Sequence, residues 1–238
     1  CVLHYNHWGL TKDCLASIDA QEIPCSYEKV LVDNGSSNYP PADFQFGKWK
    51  HIYYKENRGN IGGQNRCFES AKGEWVLFVA NDIRLHPNAI QRLWQKRQML
   101  CQPLLLKLDQ TIDNGGLRWH WPGYGLSDDT FHPDSLSGSC YLTTKRLWNE
   151  LEGFDEHLIS SHEDIDFSLR AARRGIAPHC IPTALATHLG NATLKHTLQN
   201  HRQVFHQARV QVIKKHYRSL DRLLRLAAVY LLDAIPRP

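Results

Sequence analysis

Carboxylates in this chain recur directly after apolar runs. Asp33 follows the run Lys29–Val32 and opens Asn34-Gly35-Ser36-Ser37. A carboxylate there can accept hydrogen bonds from a ribose or a base edge, or it can simply close an Asx turn. Asn81-Asp82 follows Trp75–Ala80, the most apolar run in the chain. An acid at the end of a buried strand is costly unless it is paired or metal-bound. Mg2+ or Mn2+ takes one or two carboxylates together with substrate phosphates, which suits a diphosphate substrate at this position; a helix-capping Asp is the plain alternative. Glu163-Asp164-Ile165-Asp166 follows His162 and, further back, Gly153-Phe154-Asp155-Glu156. Acids at a helix start complement the helix dipole. One of them, Asp164, held beside an acceptor, would take a hydroxyl proton as that oxygen attacks. His188 has a role here only if it reaches the metal or the diphosphate.

These residues need strands and helices to position them. Cys1–Tyr5 reads as a strand, and Leu10–Gln21 as a helix through Leu10, Cys14, Leu15 and Ile18, with Thr11 as N-cap. Lys29–Val32 and His51–Tyr54 are short strands. Glu56–Gly63 is a glycine-rich loop and Gln64–Ala71 a helix ended by Gly73. In Asn57–Asn65 glycines could let backbone amides approach phosphate oxygens at a helix start. The spacing is neither G-x-G-x-x-G nor a P-loop, and a turn with no ligand fits as well. Trp75–Ala80 is a strand and Pro87–Leu100 a helix with Pro near its start. Alternation of strand, loop and helix predicts a mostly parallel α/β sheet, in which ligands bind beyond the carboxyl ends of the strands. Asp33, Asn34 and Asp82 fall there. Asp109–Asp134 breaks the pattern with Gly and aromatic residues, including Trp119, Trp121 and Tyr124. Ser137–Thr143 is a strand, and Lys145–Leu151 and Glu163–Arg174 are helices, the second capped by Gly175. Gln199–Ile235 reads as one long helical pattern with an apolar stripe from Val204 to Ala227.

Composition bounds the alternatives. The chain has 238 residues, 42% of them hydrophobic and 22% charged, which is globular composition. Lys and Arg number 28 against 24 Asp and Glu, a net charge of +4 that gives no argument for a nucleic-acid partner. No apolar run reaches the length of a spanning helix, and no basic start precedes an apolar stretch. The first residues, Cys1-Val2-Leu3, read as the middle of a strand, so the natural domain is expected to begin upstream. Seven cysteines at irregular gaps, none as C-x-x-C, predict reduced thiols in a cytoplasmic protein.

Taken in order, Val-Asp-Asn-Gly-Ser (32–36), Asn-Arg-Gly-Asn-Ile-Gly-Gly-Gln-Asn (57–65), Phe-Val-Ala-Asn-Asp (78–82), Gly-Phe-Asp-Glu (153–156) and Glu-Asp-Ile-Asp-Phe-Ser-Leu-Arg (163–170) resemble glycosyltransferase family 2 over about residues 1–192. The bacterial rhamnosyltransferase-like branch is the most similar. The resemblance implies a GT-A fold and an inverting, metal-assisted transfer from a UDP- or dTDP-linked sugar to a glycan or glycolipid, in bacterial surface polysaccharide synthesis. Tyr5 and Asn6 match residues that line the base pocket, and Asp33 the carboxylate on base or ribose. Asn60 and Gly63 match the loop beside the nucleotide. Asp82 matches the last acid of D-x-D, which binds the cation; Asp164 matches the base, and His188 a histidine that assists the metal or diphosphate. Asn34 and Asn81 adjoin these and join the expected donor-binding set. Glu163 joins Trp119, Trp121 and Tyr124 on the expected acceptor side, where sugar C–H faces could pack on the aromatic rings or the rings could fill a small core. Ala80 stands where D-x-D has its first acid, which leaves open a catalytically reduced relative that only binds nucleotide or glycan. A sugar nucleotidyltransferase would need a Gly-rich basic loop after the first strand, where this chain has Tyr5-Asn6-His7-Trp8.

Residues 1–198 are thus expected to form a GT-A domain, with 1–107 as the nucleotide-sugar half and 108–198 as the acceptor half. Residues 199–238 are expected to form a helical extension. Between 202 and 225 that extension has Arg202, Arg209, Lys214, Lys215, Arg218, Arg222 and Arg225 against Asp221 alone. This suits either a solvated basic face or peripheral contact with an anionic membrane on its inner face.

Overall fold

Short β-branched and apolar runs place four parallel strands side by side. Strand β1 (Val2–His4) pairs with β2 (Val30–Asp33), which pairs with β3 (Lys50–Tyr53), and on its other side β1 pairs with β4 (Trp75–Ala80). All four therefore end on the same rim. The computed structural model describes residues 1–127, 131–158, 161–190 and 201–234. Beyond β4 the sheet becomes mixed. Strand β10 (Cys140–Thr144) runs antiparallel to both β4 and β6 (Leu100–Leu106), β6 runs parallel to β11 (His179–His188), and β5 (Ile83–Leu85) closes the edge antiparallel to β11. Strand β7 (Ile112–Asn114) pairs with β6, and β8 (Leu117–His120) with β9 (Tyr124–Ser127) forms a separate ribbon.

Helices cover both faces. Helix α1 (Trp8–Asp19) starts earlier than its periodicity predicts. Thr11 is not its N-cap but a buried interior residue whose hydroxyl donates to the His7 carbonyl and hydrogen-bonds His4 Nδ1 at 2.6 Å. Helix α2 (Gly59–Ser70) begins inside the expected glycine loop, so Gly62 and Gly63 are helical. The reason is packing: a Cβ at Gly63 would lie 2.8 Å from both the Asn34 amide and Leu3. Helix α3 is only Ala89–Gln95, because Leu100–Leu106, expected in part as its end, is a strand buried at every residue. A continuous apolar run is what a strand covered on both faces requires. Helices α4 (Lys145–Glu150) and α5 (Glu163–Ala172) follow, α4 capped by the Thr144 hydroxyl accepting from Leu147 N at 3.1 Å. Below α5 the rings of Phe68, Phe78, Tyr141, Trp148, Phe154 and Phe167 form one buried cluster, with Phe68 and Trp148 stacked at 3.6 Å. It fixes α5 against α2 and β10.

The expected single C-terminal helix is two. Helix α6 (His201–His216) ends before Tyr217, and α7 (Ser219–Ala234) begins at Ser219, whose φ is 54°. The apolar stripe divides with it. Ala208, Val212 and Ile213 are fully buried, whereas Leu220, Leu223 and Leu224 are exposed. Much of the expected basic face is spent internally. Arg209 donates to Asp233, Lys215 to Asp155 and Arg225 to Asp221. The Arg202 side chain lies outside the described residues. No helix among the described residues is long and apolar enough to cross a membrane, and no disulfide joins any of the cysteines.

Candidate active site

Register brings the chemistry-bearing residues to one rim. His4 pairs with Asp33, and Leu3 with Ala80, so Tyr5 and Asn6, Asp33, and Asn81 and Asp82 leave neighbouring strand ends together. Strand β10 enters from the same rim: Ala80 N donates to Ser139 O at 2.8 Å. That places Ser137-Gly138-Ser139 beside the end of β4. Gly138 N donates to Asp164 Oδ2 at 2.9 Å, and Ile165 N to Oδ1 at 2.8 Å. Asp164 on α5 and Asp82 after β4 thus flank one short loop. From the far side β11 delivers His188, paired with Ile83, and Leu189 N donates to the Asp82 carbonyl at 2.9 Å.

Burial sets the electrostatics. It pushes the Asp164 carboxyl above the ordinary range, against the pull of the Gly138 and Ile165 amides. Glu163 is raised more, by burial first and then by the charge of Asp164. Asn60 Nδ2 donates to Glu163 Oε1 at 2.9 Å, and Gln64 Nε2 reaches the same oxygen at 3.5 Å. Glu163 therefore links α5 to α2 from a buried position. Burial disfavours the His188 cation, but the hydrogen bonds it donates to Asp113 and Asp82, with the charges of both, outweigh burial and raise the imidazole to about 9.

Among the described residues no group of three His, Cys, Asp or Glu side chains is arranged to hold a cation. The rim offers a pair: Asp82 Oδ2 lies 3.5 Å from His188 Nε2. Behind them Asp113 Oδ2 holds His188 Nδ1 at 2.8 Å, which fixes the ring with Nε2 toward Asp82. A carboxylate and an imidazole that gives up its Nε2 proton as the ion enters, with the remaining positions left to phosphate oxygens and water, fit Mg2+ or Mn2+ bound together with a diphosphate. Ala80 adds no donor, and Asn81 does not replace it: its Nδ2 donates to Thr11 Oγ1 at 3.0 Å, toward α1. Asp113 carried no signal in the sequence, since it lies 75 positions from His188 on a short strand.

The other expected donor residues are mostly engaged within the protein. Asp33 Oδ1 accepts from Ser36 N at 2.9 Å, the Asx turn weighed above. Asn34 Nδ2 donates to Asn57 Oδ1 and Gly59 O at 3.0 and 2.8 Å, and its Oδ1 accepts from Arg66 at 2.7 Å, so it ties the start of α2 to β2. Asn6 Oδ1 accepts from Ser37 N at 2.8 Å. Gly35, at φ +81°, lets this loop approach Asn57, whose N would lie 2.6 Å from a Cβ. Among the aromatics, Trp119 Nε1 donates to Tyr217 OH at 2.9 Å, and the ring packs in the core shared with α6. Trp121 is exposed. The Tyr124 side chain lies outside the described residues.

Residues 1–98 match the family described as Glycosyl transferase family 2. The galactofuranosyltransferase GlfT2 of Mycobacterium tuberculosis is 23% identical over 218 residues, covering 76% of this chain and 34% of its own length. The chain thus spans about a third of that curated relative. Among solved structures, GalNAc-T7 with UDP, GalNAc and Mn2+ superposes with a TM-score of 0.71 at 16% identity, over 90% of this chain and 46% of that one. The mannosyltransferase PcManGT of Pyrobaculum calidifontis, with GDP-Man and Mn2+, gives 0.65 at 16% identity, over 98% and 68%. Residues 1–98 are thus similar to glycosyl transferase family 2, and the sheet that holds them has the fold of the GT-A glycosyltransferases it superposes on.

Proposed function

We propose that this chain is an inverting glycosyltransferase. It moves a sugar from a UDP- or dTDP-linked donor to a hydroxyl of a glycan or lipid-linked glycan, in bacterial surface polysaccharide synthesis, with residues 1–107 as donor half and 108–198 as acceptor half. It works in the cytoplasm, with peripheral contact at the inner membrane face. The family match and the sugar nucleotides bound by structural neighbours support the class of donor. The observation that carries the reading is Asp164, held by two backbone amides on the same rim as Asp82.

The chemistry follows from that placement. Tyr5, Asn6 and Asp33 line the base and ribose, while Asn34, Asn60 and Gly63 shape the loop beside the diphosphate. Asn81 and Asp82 close the donor side. Asp82 and His188 would hold a divalent cation, Mg2+ or Mn2+, whose positive charge would stabilise the departing diphosphate. The Gly138 and Ile165 amides fix both oxygens of Asp164, so its remaining lone pairs meet an acceptor hydroxyl without reorganisation. The raised basicity of Asp164 favours taking that proton at neutral pH. The acceptor oxygen bonds to the anomeric carbon as the carbon–phosphate-oxygen bond breaks on the other face, one displacement that inverts the configuration. Trp121, Tyr124 and Glu163 belong to the acceptor side, with Trp119 bracing it. Asp164→Asn keeps the shape and removes the base: donor binding, read as thermal stabilisation by a nucleotide sugar with Mn2+, should persist while transfer is lost. Full transfer in that variant would refute the assignment.

One observation favours a second reading. With Ala80 in place of an acid and Asn81 turned to Thr11, the rim presents a single carboxylate for the cation. A catalytically reduced, nucleotide-binding protein would be stabilised by nucleotide sugars yet transfer none of them.

A further inference from the structure

Helix α7 is amphipathic the wrong way round. The side it turns to the protein bears Arg225, Leu226, Val229 and Asp233: Val229 is fully buried, Arg225 lies over the Tyr217 ring at 4.0 Å, and Asp233 accepts from Arg209 at 2.7 Å. The side it turns to solvent is Leu220, Leu223, Leu224, Ala227 and Leu231, spaced as one helical stripe. Those leucines are 66%, 61%, 53% and 69% exposed, and Tyr230 at 55% flanks them. A helix packed only to stabilise a domain would bury that stripe instead of its ion pairs.

The charge around the stripe indicates what covers it. Residues 199–238 hold eight Lys and Arg against two Asp. The acids are taken: Asp233 by Arg209, Asp221 by Arg225. Lys214, Arg218 and Arg222 remain exposed at the corner between α6 and α7, beside the positive N-terminal end of α7. A second copy docked stripe to stripe would bring from its own α7 only acids that are already paired. An anionic surface would be attracted by all three exposed cations. At 16 residues α7 is too short to span a bilayer but long enough to lie in one leaflet.

We propose that α7 is an in-plane membrane anchor, whose leucine stripe enters the headgroup region of an anionic leaflet while Lys214, Arg218 and Arg222 meet the lipid charges. This rests on, and sharpens, the peripheral contact in the functional reading, and it moves that contact from the basic face of 202–225 to the outer face of α7. The test is co-sedimentation of the full chain with vesicles of phosphatidylcholine alone and of phosphatidylcholine mixed with phosphatidylglycerol. Binding at least tenfold stronger to the anionic vesicles is expected, falling with salt. It should be lost in the double variant Leu223→Glu, Leu224→Glu and reduced at least tenfold in Arg218→Gln, Arg222→Gln, with melting unchanged in both. No vesicle binding overturns the proposal, as does equal binding to both vesicles. A wild-type dimer that the glutamate variant converts to monomer, without vesicle binding, assigns the stripe to a second copy and also overturns it. Transfer to a soluble acceptor in the same preparations separates the two readings: its failure with vesicle binding intact removes the activity and leaves the anchor.

Discussion

The rim of the sheet and the C-terminal helix pair use polar residues in opposite ways. On the rim, acids stand at strand ends, and the protein meets them with backbone amides, as Gly138 and Ile165 meet Asp164. Their apolar neighbours point inward. In α7 Arg225 and Asp233 turn inward and pair, with Asp221 and Arg209, and the leucines are left outside. On the readings proposed above, each region awaits a different partner: a cation and a diphosphate at one, a hydrocarbon layer at the other. Groups left unsatisfied on a stable fold are therefore a better guide to function than groups already paired.

The contrast can be broken at several strengths. The largest effect is expected at the rim, where Asp164→Asn should lower the transfer rate about 100- to 10,000-fold, a rise of ~3–5 kcal/mol in the barrier, with donor-induced stabilisation retained. Asp166 is next. It is fully buried, accepts from His216 Nε2 at 2.7 Å and Lys215 Nζ at 2.8 Å, and pairs with Arg170. Asp166→Ala strands these cations and should cost about 3–5 kcal/mol of stability in urea denaturation. A change near zero would mean that the network is solvated. Gly63→Ala tests the close contact of α2 on β1. Leu3 and Asn34 must give way to its Cβ, and about 1–3 kcal/mol should be lost.

A pH effect comes below these. Burial lowers His4 to about 4 and, with the charge of Arg209 adding, lowers His162 to about 4. Between those values and the ordinary ~6.5 the unfolded chain binds protons that the folded one refuses. The contribution of these two rings to stability is therefore full above ~6.5 and is lost as pH falls toward 4, while the raised Glu163 and Asp164 carboxyls act in the opposite sense. The change in melting temperature between pH 7 and 5 should shift toward stabilisation at pH 5 in a His162→Gln variant; an unchanged profile would place the ring in contact with water. The smallest effect is expected on the outer face of α7. Leu224→Glu should change stability by no more than about 0.5 kcal/mol, whereas a buried apolar stripe would lose several times that.

The sequence was most legible where one residue type has one use. Trp75–Ala80 is too apolar to be anything but a strand, and the acids following such runs had to lie on the rim of a parallel sheet. Strand β6 was missed because Pro103 and a preceding helical period masked a run buried on both faces. Strand β11, with its short and polar residues, showed no alternation strong enough to mark it. The glycines at 62 and 63 were legible as special, but not their reason: the sequence could not show that Leu3 lies against them. Asp113 was invisible, since only the pairing of β7 with β6 brings it behind His188. In the C-terminal stretch, periodicity marked a stripe but not the break at Tyr217-Arg218, nor which way the stripe would turn.

Asp164 and Asp166 stand on one turn of α5 and face nearly opposite directions. The first accepts from the Gly138 and Ile165 amides, and the second is fastened through Lys215 and His216 to the end of α6, one short bend from α7. A body riding on α7, as proposed, could not rock without carrying Asp164 with it. The cleft would then keep a fixed tilt and height over the lipid plane, and acceptors would be sorted by how far their growing end stands above it.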